Sequence, residues 1–278
     1  MGAAASTAFQ SPAAVTTSVA EPLARSPYQE FPPSPKFAAH VECFWMHRTE
    51  GSVRNFHVFP DGCSDIIFEQ PARDYGGLAI VGTMTRAQAF DIPARHSTLG
   101  VRFRPGMAAR LLRVPGSVAV DQAIPLADAW KAAAVRDLLD QLASSRSARD
   151  AIVRFEASLA EPAPLDPVEK SLAWLAECGG QVSMDALADA ASLSPRQFRR
   201  ICVERTGLSP KHLARVLRFR QAAKYASGQQ RDWADVAVAS GYYDQAHLIN
   251  EFKQLAGVSP AQFSSLTVAS HFRSEAPL

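Results

Sequence analysis

Between Phe31 and Arg104 the apolar residues fall in short runs, each closed by a turn residue. Phe56-His57-Val58-Phe59 stops at Pro60-Asp61-Gly62. Asp65-Ile66-Ile67-Phe68 follows, then Leu78-Ala79-Ile80-Val81 before Gly82, and Gly100-Val101-Arg102-Phe103-Arg104. Runs of this length, enriched in β-branched and aromatic residues and bounded by Gly, Pro and Asp, predict strands. From Val101 to Arg104 apolar and basic residues alternate, the pattern of a half-buried strand. After Pro105-Gly106 the apolar spacing becomes helical, over Met107–Arg113, Leu126–Ala143 and Ala148–Leu159. Glu161-Pro-Ala-Pro-Leu-Asp-Pro167 then interrupts every pattern and reads as a linker, with a boundary near Pro164.

Beyond the linker the spacing is helical throughout. Pro167–Glu177 places Val168, Leu172 and Leu175 on one face, and Ser183 is a good N-cap for a helix to Ala191 that turns Leu187-Ala188 inward. Ser194-Pro195-Arg196-Gln197 opens the next helix with a serine cap, a proline at the first helical position and a glutamine able to close a capping box. Phe198, Ile201 and Cys202 form its apolar stripe, and Gly207 supplies a left-handed stop. Ser209-Pro210 starts a longer helix to about Ala226.

The plan then repeats. Val236-Ala237 corresponds to Leu187-Ala188, Gly241-Tyr242 to Ser192-Leu193, Leu248 and Phe252 to Phe198 and Cys202, and Gly257 to Gly207. Gly207-Leu-Ser-Pro-Lys-His-Leu213 and Gly257-Val-Ser-Pro-Ala-Gln-Phe263 are two copies of one phrase, 50 residues apart. The offset is 49 before the second turn, so that turn carries one extra residue, Asp244. Agreement in turn, core and cap together predicts one helix-turn-helix unit used twice.

Charge sharpens this picture. The net charge of the 278 residues is only +2, but from Arg196 to Lys224 nine basic residues face Glu204 alone, a local +8. Residues 1–165 carry sixteen charges of each sign. Four scattered cysteines without a C-x-x-C pair argue against a disulfide framework and suit a reducing cytoplasm. The apolar runs fall far short of the ~18 residues a membrane span needs. Met1-Gly2 with Ser6 fits the loose myristoylation pattern, yet the Ala/Ser/Thr/Pro-rich start is better read as a disordered tail over residues 1–30.

Leu187-Ala188, Leu193-Ser194-Pro195, Gly207-Leu-Ser-Pro210, Gly241-Tyr242, Phe252-Lys253 and Gly257-Val-Ser-Pro260 resemble the C-terminal DNA-binding domain of the AraC family of bacterial transcription regulators, over roughly Pro167 to Leu266. The resemblance implies one seven-helix domain whose two units are joined by a long helix. Eighteen residues from Ser209 to Ala226 would span about 27 Å. That suits recognition helices entering major-groove segments one turn apart, about 34 Å. Cys202 stands where the family usually has phenylalanine, and Asn250 where arginine is common. The first unit is therefore expected to dominate affinity. Phe59-Pro-Asp-Gly-Cys-Ser-Asp-Ile-Ile-Phe68, Val81-Gly82, Gly100–Gly106 and Pro125-Leu126 resemble the upstream domain of one AraC subgroup. In the wider family that domain is often a cupin-like barrel that binds an effector or mediates dimerisation. The expected fold is α+β: a β-rich domain over 31–160 with trailing helices, a linker over 161–167, and an all-α double helix-turn-helix domain over 168–268.

Function follows from the exposed faces. Arg196, Arg199 and Arg200 lie opposite the first apolar stripe, and arginine forks match guanine O6 and N7. Gln245, Ala246, His247, Ile249 and Asn250 form the second face, where Gln and Asn can pair with adenine. Arg205, Lys211 and Lys253 suit phosphates. Arg215, Arg218 and Arg220 read as solubilising residues of the long helix. His40, His47, His57, Cys63, Asp65 and His96 lack the tight H-x-H pair of a metal site and read as structural, with Asp61-Gly62 as a turn. Arg102 and Arg104 are read as outward surface residues, with an anionic effector as the alternative. The expected protein is no enzyme and needs no cofactor or metal. It is a cytoplasmic regulator of promoter DNA, with RNA polymerase, a small-molecule effector and a second copy as further partners. The rivals are a metal-dependent cupin-type enzyme with a DNA-docking helical tail, and a module whose basic helices meet an acidic protein.

Overall fold

The computed structural model describes residues 28–71, 77–227 and 232–265. Its N-terminal part runs β1 (Tyr28–Phe31), β2 (Val41–Thr49), β3 (Val53–Val58), β4 (Ser64–Gln70), β5 (Leu78–Val81), β6 (Gln88–Ile92), β7 (His96–Phe103), the short helix α1 (Ala108–Leu112), β8 (Ala123–Pro125), α2 (Ala132–Ala143) and α3 (Ala148–Ser158). The C-terminal part is helical: α4 (Pro167–Glu177), α5 (Met184–Ala190), α6 (Pro195–Thr206), α7 (Pro210–Ser227), α8 (Trp233–Ala239), α9 (Gln245–Ala256) and α10 (Pro260–Ser265). The tail expected over residues 1–30 lies outside the described residues except at its end, where Tyr28 opens a strand paired with β2. The helix expected over Leu126–Ala143 begins instead as a single 3-10 turn, Leu126–Asp128, and becomes α-helical only at Ala132.

The strands form a six-stranded sheet in the order β1-β2-β7-β4-β5-β8 and a separate pair, β3-β6. Among the described residues they do not close into a barrel. Alternation along the central strands sorts side chains between two environments. Phe44 and Met46 of β2, Ile66 and Phe68 of β4, and Leu99, Val101 and Phe103 of β7 pack with Leu112 of α1, Leu138 of α2 and Phe155 of α3. The intervening residues, Trp45, His47, Asp65, Ile67, Glu69, Thr98 and Arg102, turn the other way and line a cavity closed on its far side by Phe56 and Phe90 of the two-stranded sheet.

This corrects the half-buried reading of the strand at Val101. β7 is buried on both faces, and Arg102 points into the cavity with 5% of its surface exposed. Arg104 lies beyond the end of β7 and is exposed, its Nε donating to the Ala38 carbonyl at 3.0 Å. The two arginines therefore do not share a strand face.

A second apolar cluster fills the helical part, and one of its members comes from the N-terminal part. Phe59 is 1% exposed and packs with Leu172, Leu187, Leu213, Phe219 and Phe252. Its ring meets Phe263 at 4.8 Å, edge to face, and Phe219 at 6.3 Å. Just after it, Gly62 (φ 83°) brings its backbone so near α7 that a Cβ would lie 3.0 Å from Leu213 Cδ1. The N-terminal part also meets the end of each expected recognition helix. The turn at Gly116 abuts the last residues of α6, and the Ala87 amide donates to the Leu255 carbonyl of α9 at 2.6 Å.

Gly207 and Gly257 separate the two reasons for a glycine. Both end a helix in the left-handed region, at φ 76° and 71°. A Cβ at Gly207 would fall 2.3 Å from Val120 Cγ2 and 2.8 Å from the Gly116 carbonyl oxygen, whereas one at Gly257 meets nothing within 4 Å. Gly257→Ala is expected to cost about 1–2 kcal/mol, the left-handed penalty alone. Gly207→Ala should cost a further 1–3 kcal/mol or so, from overpacking at the interface. Equal losses in thermal unfolding of the full chain would show that the contact with Val120 is not made.

Candidate nucleic-acid interface

α6 and α9 are built by matching local chemistry. The Ser194 hydroxyl accepts from the Gln197 amide at 3.3 Å, and Gln197 Oε1 accepts from the Ser194 amide at 3.0 Å, which closes the capping box. In the second unit the extra residue of the turn is the cap. Asp244 Oδ1 accepts from the His247 amide at 2.7 Å. Phe198 and Cys202 bury one side of α6, and Leu248, Phe252 and Leu255 bury one side of α9. The Cys202 thiol donates to the Leu208 carbonyl at 3.4 Å, and burial pushes its pKa up to about 12. It therefore behaves as a small core residue.

Opposite the buried stripe, Arg196, Arg199 and Arg200 are exposed together on α6. Arg200 approaches Glu204 at 3.7 Å, an open pair of the kind that contributes little to stability. On α9, Gln245, Ala246 and Asn250 are exposed. His247 is half-buried and lies edge-on to Tyr242 at 5.2 Å, and Ile249 packs against the core cluster. Lys211 and Lys253 are exposed.

Arg205 does not belong with them. Its guanidinium lies 2.8 Å from Asp166 and 3.2 Å from Glu169, and the same carboxylates hold Arg110 of α1 at 3.3 and 3.0 Å. Glu169 is fully buried in this four-charge cluster, and Asp166 also caps α4. Burial alone would raise the Asp166 pKa, but the Glu169 amide, Arg205 and Arg110 together hold it below the usual range. Arg205 is thus an internal tie: seven residues after Phe198, it lies on the buried side of α6 and turns toward α1 and α4.

Arg215, Arg218 and Arg220 of α7 are likewise structural rather than solubilising. Arg215 clamps Glu251 of α9 with Nη2 at 2.9 Å and Nε at 3.0 Å, and donates to Gln254 at 2.6 Å. Arg218 lies over the Tyr242 ring at 5.9 Å. Arg220 is buried and pairs with Glu42 of β2, with the Cys63 thiol 3.6 Å away. Sequence periodicity had no means of finding these partners, since each lies on an element distant along the chain.

The cavity of the N-terminal part encloses about 190 Å³. Trp45 lies flat across Gly100, its partner on β7, where a Cβ would sit 2.2 Å from the indole Cε2. Trp45 Nε1 donates to Asp65 at 3.0 Å. Arg102 Nε stands 3.3 Å from Asp65 and 3.4 Å from Asp61. At the other end His96 Nε2 meets Glu69 at 3.2 Å. Burial and then the neighbouring His96 lower the His47 pKa, and burial lowers those of His40 and His57. Among the described residues no group of three His, Cys, Asp or Glu side chains is arranged to hold a metal ion.

A family model described as Helix-turn-helix domain matches residues 187–265. The HTH-type transcriptional activator RhaS of Escherichia coli O1:K1 / APEC is 32% identical over 90 residues, covering 32% of this chain and 32% of that protein. The C-terminal domain is of the AraC type. The chain spans about a third of the length of the curated relatives it matches. A second model, described as a domain of unknown function (DUF6597), matches residues 29–125, upstream of the AraC-type domain. Among solved structures, the DNA-binding domain of the transcriptional factor AdpA, in complex with a target DNA, is 27% identical over 36% of this chain and 92% of its own, with a TM-score of 0.35. ToxT from Vibrio cholerae O395 is 11% identical over 80% of this chain and 97% of its own, with a TM-score of 0.43.

The Glu42–Arg220 pair gives the contact between domains a pH dependence. Burial would raise the Glu42 pKa, yet the charge and hydrogen bond of Arg220 hold it at about 2, against 4.5 for a free glutamate. A depressed carboxylate pKa contributes stability above the unfolded value and loses it as pH falls through the folded one. The thermal midpoint of the full chain should therefore exceed that of Glu42→Gln by its full margin near neutral pH. Below about pH 4.5 the gap should narrow, and it should close near pH 2. A constant gap across that range would show that Glu42 acts through packing alone.

Proposed function

We propose that this protein is a sequence-specific DNA-binding transcription regulator, with α6 and α9 reading adjacent major-groove segments. The observation that carries the reading is the repetition of one design. Each helix buries the same stripe, stops at a left-handed glycine, and exposes the face of its first two turns. Arg196, Arg199 and Arg200 are the base-reading residues of α6, and Gln245, His247 and Asn250 those of α9, with His247 the least accessible. Lys211 and Lys253 neutralise phosphates. The 18 residues of α7 span about 27 Å and set the separation of the two units.

The N-terminal domain sets the activity of this pair, as effector site, dimer contact or both. It touches the C-terminal ends of α6 and α9 and grips α7, so a change in that domain would alter how the two helices are held relative to each other. Promoter DNA is the partner, with RNA polymerase and a second copy of the chain as the further ones a regulator would meet. No helix among the described residues is long and apolar enough to cross a membrane. With four free cysteines, three of them buried, the cytoplasm is the compartment that fits. A cupin-type enzyme would need metal ligands that converge, and among the described residues no three His, Cys, Asp or Glu side chains are so arranged.

The test is a selection of bound sequences from a random duplex pool with the full chain, because Phe59 belongs to the C-terminal core. Two enriched blocks about ten base pairs apart are expected, and no enrichment at low and physiological salt would overturn the reading. Arg199→Ala should weaken the selected site by about 1–3 kcal/mol and relax preference at one base pair. Lys211→Ala should weaken all duplexes alike and lower the salt slope by roughly one. Uniform weakening by Arg199→Ala would make it a phosphate contact.

A further inference from the structure

We propose that the cavity of the N-terminal domain binds an uncharged, apolar ring compound, and that two wall segments, residues 82–88 and 119–123, carry its occupancy to the ends of α6 and α9. The inference rests on the regulator reading only in making such a ligand the effector. Binding and its transmission are both measured without DNA, so this inference and that reading can fail separately.

Size sets the ligand at one ring with a short substituent. A dry cavity of about 150 Å³ accepts benzene, and this one encloses about 190 Å³. Apolar side chains make most of the wall, among them Trp45, Phe56, Val58, Ile67, Phe90 and Ile92. Trp45 stacks on Tyr28 at 5.9 Å and Phe56 on His47 at 5.1 Å, which holds the wall rings in place and suits a flat guest.

The charged groups of the wall are already engaged with one another or with the backbone. Asp65 accepts from Trp45 Nε1 at 3.0 Å, and Arg102 is held between Asp65 at 3.3 Å and Asp61 at 3.4 Å. Glu69 meets His96 at 3.2 Å. Asp121 accepts from the Thr85 amide at 2.7 Å and from its hydroxyl at 2.5 Å. The Nε and Nη1 of Arg102 and the Nδ1 of His96 are buried within the wall and offer the cavity no surface. An ion of either sign would give up its water here without gaining a free partner, which is costly. An apolar ring loses no hydrogen bond and gains by leaving water.

One side of the wall is paired, and its back meets the DNA-reading domain. Residues 82–88 bring Met84 and Gln88 to the cavity, and residues 119–123 bring Asp121 and Gln122. The two segments extend the β5-β8 pairing beyond Val81 and Ala123. The Gly82 amide donates to the Gln122 carbonyl at 3.1 Å, and the Asp121 amide to the Thr83 carbonyl at 3.1 Å. With the two bonds from Thr85 to Asp121, these make the segments one unit. On its other side, the Ala87 amide donates to the Leu255 carbonyl near the end of α9, at 2.6 Å. Val120 lies against Gly207, the residue that ends α6. A ring pressed against Met84 and Gln122 therefore bears on a unit that also touches both helix ends. Close-packed groups pass such a displacement on.

The experiment begins with isothermal titration calorimetry of the full chain against ethylbenzene, phenethylamine and phenylpropionate, which share one ring and differ in charge. Ethylbenzene should bind most tightly, and each ion about tenfold more weakly or worse. Ile67→Trp, which fills the cavity, should abolish ethylbenzene binding. Hydrogen exchange of the full chain, followed by mass spectrometry, should then slow on saturation with ethylbenzene. The slowing should appear in peptides over 82–88 and 119–123, and also over 200–207 and 250–257 at the ends of α6 and α9. Ala87→Pro, which removes the amide given to Leu255, should keep ethylbenzene binding and lose the slowing over 250–257 alone. If either variant does not fold, the order of the three probes and the exchange pattern of the native chain still decide. Either ion binding as tightly as ethylbenzene would overturn the ligand class, and ethylbenzene binding that survives Ile67→Trp would overturn the site. Slowing confined to the N-terminal domain would overturn the transmission. Failure of ethylbenzene to bind would overturn the whole proposal.

Discussion

Phe59 belongs to one domain by sequence and to the other by packing. It closes β3 and the turn at Pro60-Asp61-Gly62, yet its ring sits among Phe219, Phe252 and Phe263 in the core of the AraC-type domain. Truncating a fully buried phenylalanine typically costs about 3–5 kcal/mol, so this single side chain is a large share of what a domain of ordinary stability has to spare. Gly62 lets the backbone follow the ring against Leu213 and Leu217, and Arg220 reaches back from α7 to Glu42. Apolar and ionic contacts converge on α7, the element that spaces the two helix-turn-helix units. A linker rich in proline joins the domains in sequence. The junction in space is packed.

The same convergence divides the basic residues. The local +8 between Arg196 and Lys224 suggests one continuous positive surface, but the charges do two jobs. Arg196, Arg199, Arg200 and Lys211 are exposed. Arg205, Arg215 and Arg220 are held by Asp166, Glu169, Glu251 and Glu42, all of them contributed by other elements. An arginine fork can match a carboxylate as well as a phosphate. Composition alone cannot tell which it meets. Pairs of this kind define relative placement more than they add stability, and here they tie the two helix-turn-helix units to the elements around them.

The helical half was largely legible because its signals are local. Caps, left-handed stops and the period-3.6 stripe all act within a few residues, and the helix expected over Pro167–Glu177 has those bounds. The repeat supplied an internal control, and even its irregularity had meaning, since the extra residue Asp244 is the cap of α9. The exposed face of α6 followed from its stripe, whereas on α9 His247 is half-buried and Ile249 packs against the core. What failed was every statement that needed a distant partner: Arg205 as a phosphate contact, the α7 arginines as solubilising residues, Arg102 as a surface residue. In β2 and β7 the difficulty was of another kind. A strand buried on both faces, one against helices and one against a cavity, shows no clean polar alternation, so Trp45 and Arg102 gave no sign of which side they took.

Between cavity and helix there is very little intervening structure. Asp61 flanks Arg102 on the cavity side, the next residue lies against Leu213 and Leu217, and Cys63 lies against Arg220. Five residues, Phe59 to Cys63, therefore carry contacts to both sites. Packed interiors pass displacement on rather than absorb it, and a left-handed glycine within a tight turn leaves little slack. Any rearrangement of the carboxylates around Arg102 would reach α7 through this turn. From α7 it would reach α9 through Arg215 and Glu251, and α6 through the short connection at Leu208, whose carbonyl receives the Cys202 thiol. A fold that seats its cavity and α7 on opposite sides of one turn needs no long pathway to couple them.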